Sequence, residues 1–321
     1  MTAAGETSTA GRLLRLAGLA LAAAAFAWVA WPLWHQGREL AARVDAGRMI
    51  AWVLAGAALY AVVSVLLALA WWWLAGVYGR RPPALAGYAI HARSQLAKYL
   101  PANVLHYVSR QALGRRAGLG HAALVASGVF EMASLLLAAA AVAAAGLGLS
   151  TAGAWTRSAW LWGAAVAAAG LLAWPAVDAL LRRLPWSAPA MAALPRLSAT
   201  GTARLFAVSL PLHAFFFVGT GLVLLLLVVA AGGPAESWRT LLWLYPLAWM
   251  AGTVTLGAPA GIGVREAILV LELGSLLDPP RAALVALALR LATTAGDLAT
   301  AAAGWLAARA ERPGATDSPS S

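Results

Sequence analysis

Leu205 to Ala231 reads LFAVSLPLHAFFFVGTGLVLLLLVVAA, a run without one formal charge. A helix on the outside of a soluble domain is apolar along one stripe only. This one is apolar all round, and as a helix it would be about 40 Å long, enough to cross a hydrocarbon core of about 30 Å. The run therefore reads as a transmembrane helix. Five more of similar character are Leu16 to Trp34, Met49 to Tyr78, Ala122 to Gly148, Trp160 to Leu181 and Ala282 to Ala308. Trp238 to Leu256 makes another, and Val264 to Leu277 is a shorter run that carries charges. Trp28, Trp31, Trp34, Trp71, Trp72, Trp73 and Trp238 cluster at span ends, as an interfacial aromatic belt does.

Composition agrees with these spans. Of 321 residues, 62% are hydrophobic and 11% are charged, against about 25% charged in a soluble domain. Without cysteine there are no disulfides, thiolate metal sites or iron–sulfur clusters. The net charge of +11 would point a soluble protein toward nucleic acid. Here the arginines flank apolar spans, so the expected partner is the anionic surface of a membrane, with no nucleic acid. Arg12 and Arg15 before an alanine-rich stretch resemble a signal peptide, but the apolar run continues through Trp34. It is read as an uncleaved first helix.

Positive charge sets the expected orientation. Arg80, Arg81, Arg93, Lys98, Arg110, Arg115 and Arg116 separate the second span from the third, and Arg182, Arg183, Arg196 and Arg204 separate the fourth from the fifth. By the positive-inside rule both segments are cytoplasmic, in a cell inner or plasma membrane, with both termini inside. That parity asks Val264 to Leu277 to cross as a short, buried helix. The expected architecture is an all-α polytopic bundle of about eight transmembrane helices. A single domain occupies residues 1–310, and a Pro/Ser-rich disordered tail occupies 311–321.

Two segments break the pattern. Ser94 to Arg110 is too polar to span lipid and too apolar for a free loop, and Pro101 interrupts it. Asn103, His106, Tyr107 and Arg110 share a helical face by spacing. Two readings stand: an amphipathic helix lying in the interface, or a broken re-entrant hairpin lining a cavity. The second segment, Leu256 to Ala267, packs Gly257, Pro259, Gly261 and Gly263 ahead of Arg265 and Glu266. Irregular backbone at membrane depth needs a protein-buried or water-lined setting. One interrupted segment in each half of a membrane chain points to a transporter-type site.

Charges inside spans add candidates. Glu131 lies about 15 Å into its span, and Arg290 and Asp297 share a face of the last one. Each is costly at mid-membrane and must pair or face a cavity. One reading is mutual neutralisation, Glu131 with Arg290 and Asp297 with Arg265. The other is a polar cavity for a charged headgroup.

Together the Leu100-Pro101 segment ending in Arg110, the Pro259 to Glu266 turn, and Arg290 resemble the membrane region of lysylphosphatidylglycerol synthases, a region shared by flippase-like membrane proteins. Departures are Ala102 and Ala260, where that family usually has glycine, and Met132, where it commonly has arginine. The resemblance implies lipid translocation between leaflets. Its substrate would be an anionic or modified phospholipid, a glycolipid or a polyprenyl-type lipid, handled without a cofactor or metal. The aminoacyl-transferase domain of the full-length synthases has no counterpart here. On this basis the expected headgroup contacts are Arg110, Arg265 and Arg290, with Glu131, Glu266 and Asp297 orienting those arginines or contacting a cationic headgroup, and Asn103, Tyr107, Gly261 and Gly263 beside them. The alternatives are a membrane-embedded glycosyl- or headgroup-transferase, which would need a base and metal ligands not evident here, and a non-catalytic partner of a lipid-biosynthetic enzyme.

Overall fold

The computed structural model describes residues 44–77, 79–99, 105–150, 198–255 and 261–310, with single positions at 35 and between 165 and 183. The described residues are helical and contain no strand. In chain order they form α1 (Ala46–Ala75), α2 (Ala84–Ser94), a 3-10 turn (Gln95–Tyr99), α3 (Leu105–Arg116), α4 (His121–Ser150) and α5 (Ala199–Ala230). A second 3-10 turn (Ala235–Ser237) precedes α6 (Trp238–Val254), α7 (Val264–Leu273) and α8 (Pro279–Ala310). Helices α1, α4, α5 and α8 are each long and apolar enough to cross a membrane. The expected span at 16–34, the expected span at 160–181 apart from those single positions, the tail after Ala310, and the interruptions at 100–104 and 256–260 lie outside the described residues.

Side chains local to the ends start two of these helices. The Asp45 carboxylate accepts from the Arg48 amide at 3.1 Å, and the Ser198 hydroxyl accepts from the Gly201 amide at 3.0 Å. Each satisfies one of the first-turn N–H groups that a helix leaves without a partner.

Packing gives the helices their directions. Gly56 meets Val223 and Gly219 meets Val63, so α1 and α5 run antiparallel. Gly56 also meets Ala292 and Gly296 sits against Ala57 and Tyr60, which sets α8 parallel to α1; a Cβ at Gly296 would lie 2.8 Å from the Ala57 carbonyl oxygen. Small residues allow this approach, which apolar lipid cannot drive hydrophobically. Phe217, Leu224, Leu227, Leu241, Leu244 and Tyr245 fill the core between α5 and α6. Leu54, Val62, Phe215, Leu291 and Leu306 face outward, which suits a bundle whose solvent is hydrocarbon.

The interrupted segments each leave and rejoin one end of the bundle. Gly87 of α2 packs on Trp72 at the end of α1, and Gly114 of α3 packs on Leu124 at the start of α4. At the opposite end, Gly233 after α5 meets Leu277, and the Arg281 guanidinium donates to the Ala231 carbonyl at 3.3 Å. Helix α6 begins and the chain after α7 arrives at that same end.

Only part of the run from Val264 to Leu277, expected to cross as a short helix, is helical. The helix stops at Leu273 after ten residues, about 15 Å or half the hydrocarbon thickness. The apolar sequence continues beyond it because the following turn is also buried, at Leu277. Helices α6 and α7 together return the chain to the end where α6 began.

Candidate functional site

Both segments contribute to one cavity of about 200 Å³. From the first come Gln95, Lys98, Tyr99, His106, Tyr107 and Arg110, and from the second Arg265. Tyr60 of α1, Glu131 of α4, Tyr245 and Trp249 of α6, and Arg290 and Asp297 of α8 close it. The helical spacing of His106, Tyr107 and Arg110 therefore marked a genuine face, whereas Asn103 lies outside the described residues.

Each carboxylate in the site holds a cation. Glu131 Oε2 pairs with Arg110 Nη1, and its Oε1 lies 3.1 Å from His91 Nε2. Arg110 Nε also donates to the Ser94 hydroxyl at 3.2 Å. Asp297 Oδ2 takes Lys98 Nζ at 2.7 Å and the Tyr99 hydroxyl at 2.5 Å. Glu266 Oε1 lies 3.5 Å from Arg290 Nη1, while its Oε2 accepts the Gly263 amide at 2.7 Å.

These are not the pairings that spacing alone suggested. Glu131 is matched by Arg110 rather than Arg290, because α3 packs on the first turns of α4. Asp297 is matched by Lys98 rather than Arg265, because the 3-10 turn after α2 reaches α8. Glu266 bends back to cap its own helix and meets Arg290 from there.

The site holds four cations, Lys98, Arg110, Arg265 and Arg290, against three carboxylates, Glu131, Glu266 and Asp297. Arg265 is the cation of the four that makes no ion pair with a carboxylate among the described residues, its neighbour Glu266 acting on it only from beyond ion-pair distance. Its guanidinium lies over the Tyr245 ring at 5.9 Å, and its Nε is buried without a hydrogen-bond partner. A desolvated guanidinium without an acid is a receptor for an anion, and its planar fork suits phosphate.

The glycine turn explains how Arg265 is held there. Gly261 and Gly263 have φ of +69° and +85°, a left-handed region that other residues rarely occupy. Gly261 lies directly on Gly252, where a Cβ would fall 2.9 Å from the Gly252 Cα. Packing of the turn against α6 thus accounts for Gly261, and the side chain delivered to the cavity is Arg265.

The chain matches the family described as the lysylphosphatidylglycerol synthase transmembrane region over residues 15–301. It belongs to that family. No curated protein matches the sequence. Membership makes this a lipid-related membrane protein.

Sequence reasoning missed the cavity roles of Lys98, Tyr99 and Tyr245, and His91 as a partner of Glu131. A signal for one was present: among 23 basic residues, Lys98 is the only lysine. It had been counted with Arg110 as a loop charge that orients the protein. Both point inward instead, so that argument rests on Arg80, Arg81, Arg93, Arg115 and Arg116. His213 is fully buried, with Nδ1 2.9 Å from the Ser134 hydroxyl.

Proposed function

We propose that this member of the lysylphosphatidylglycerol synthase membrane family carries the phosphate-bearing headgroup of an anionic or modified lipid between leaflets, through the cavity around Arg265. The observation that carries it is Arg265, which makes no ion pair among the described residues, in a cavity shared by both interrupted segments. On this reading α2–α3 and α6–α7 are re-entrant hairpins that enter from opposite faces and meet at mid-membrane. A cavity of about 200 Å³ suits a headgroup and leaves the acyl chains in the bilayer.

Arg265 takes the phosphate first. The phosphate then competes with Glu131 for Arg110 and with Glu266 for Arg290, so the carboxylates serve as resident anions that the substrate displaces and that reclaim their arginines when it leaves. Asp297 and the tyrosines are placed to receive a cationic group on the headgroup. The arginine-rich end faces the cytoplasm of a plasma or inner membrane.

Leaflet exchange of labelled anionic and zwitterionic lipids in proteoliposomes tests this. Exchange above that of empty liposomes, and lost in Arg265→Ala and Arg290→Ala proteins that remain folded, is the expected result. Exchange no faster than in empty liposomes for every lipid would overturn it.

A further inference from the structure

The described acids are distributed unevenly. Asp45, Glu236, Glu272 and Asp278 lie at the end where α1, α6 and α8 begin, and Glu131, Glu266 and Asp297 lie in the cavity. Among the described residues the opposite end carries no carboxylate, but it does carry Arg80, Arg81, Arg93, Arg115, Arg116, Arg204 and Arg309. Two of these converge on one indole from distant parts of the chain. Arg81, in the link after α1, lies 4.7 Å from the Trp72 ring and 4.6 Å from the Trp73 ring. Arg204, near the start of α5, lies 5.9 Å from Trp73. Trp72 is itself fixed, donating from Nε1 to the Pro82 carbonyl at 2.8 Å.

Stacking engages the face of a guanidinium and leaves its N–H edge for an in-plane acceptor. No acid among the described residues supplies one here. Below Trp73, Leu69, Val65 and Val62 follow at four- and three-residue spacing on one stripe of α1, and all three are exposed. A cationic fork above a lipid-facing apolar stripe has the outline of a phospholipid.

We infer that Arg81 and Arg204, held on Trp73, bind the phosphate of an anionic phospholipid in the leaflet on this side, with an acyl chain along Val62, Val65 and Leu69. This lipid is a bound companion, separate from anything carried through the cavity. The apolar stripe selects a lipid over free phosphate.

Native mass spectrometry of the full chain from mixed phosphatidylglycerol and phosphatidylcholine nanodiscs tests the site. Wild type is expected to retain phosphatidylglycerol in preference, and inorganic phosphate should not compete it away. Retention should fall about fivefold for each arginine lost in Arg81→Gln and Arg204→Gln, the equivalent of ~1 kcal/mol per basic residue. Arg239→Gln is the control, because Arg239 also stacks on a tryptophan, Trp238 at 5.3 Å, but at the opposite end beside Glu236. Equal retention of the two lipids, unchanged retention in the double variant, or an equal fall in the control would each overturn the inference. Displacement by inorganic phosphate would replace the lipid with a free-anion site. If the double variant does not fold, unchanged retention in Arg204→Gln alone, an exposed position, overturns it equally.

Discussion

Lys98 Nζ lies 2.7 Å from Asp297 Oδ2 and ties the turn after α2 to the middle of α8. The carboxylate is almost fully buried, and Lys98 is about a fifth exposed, with side-chain accessibilities of 4% and 21%. Removing one partner of such a pair strands the other, whereas replacing both with apolar groups removes the penalty. Asp297→Asn should therefore cost roughly 3 kcal/mol. Lys98→Met with Asp297→Leu should regain most of that while abolishing exchange. Unfolding curves in detergent beside an exchange assay check this, and additive losses in the double variant would show that the pair is not coupled.

Arg265 and Arg290 should separate stability from function. Arg265 has no carboxylate to strand, so Arg265→Ala should leave the melting temperature within a few degrees of wild type and still abolish exchange. Arg290→Ala strands Glu266, which is buried, and should lose roughly 3 kcal/mol as well as exchange. Equal destabilisation by the two variants would mean that Arg265 is structurally paired after all.

The turn that delivers Arg265 depends on Gly261 for both conformation and space. Gly261→Ala meets a positive φ and the Gly252 backbone together, and should cost roughly 2–4 kcal/mol. Gly118 has a similar φ of +80° with nothing near its Cβ direction. Gly118→Ala should therefore cost only about 1 kcal/mol. Thermal unfolding of the two proteins measures the difference, and equal losses would show that the contact with Gly252 is unimportant.

The parts legible in the sequence were those encoded by local pattern. Uninterrupted apolar runs marked α1, α4, α5 and α8, and four-residue steps placed His106 and Arg110 on one face before any helix was seen. The ion pairs were not legible, because Glu131 meets Arg110 only through the packing of α3 on α4, which no spacing within either helix records. Nor was the end of α7, since Leu273 and Leu277 are both apolar and both buried; hydropathy cannot tell a helix from a buried turn. Lys98 was misassigned for a similar reason: a charge in a polar segment counts as a loop charge until the segment is known to enter the bundle.

Glu131 offers the sharpest test of the displaced-anion mechanism. Glu131→Gln leaves Arg110 without its carboxylate and raises the cavity's net charge by one. If substrate phosphate must compete with Glu131, the variant should bind a short-chain anionic lipid roughly tenfold tighter. It should also exchange that lipid more slowly, because nothing reclaims Arg110 when the phosphate is to leave. Equilibrium binding and exchange measured on the same folded preparation give both numbers. Tighter binding with slower exchange supports competition. Weaker binding would mean that Glu131 orients Arg110 toward the phosphate, and unchanged binding would place Arg110 outside the headgroup path.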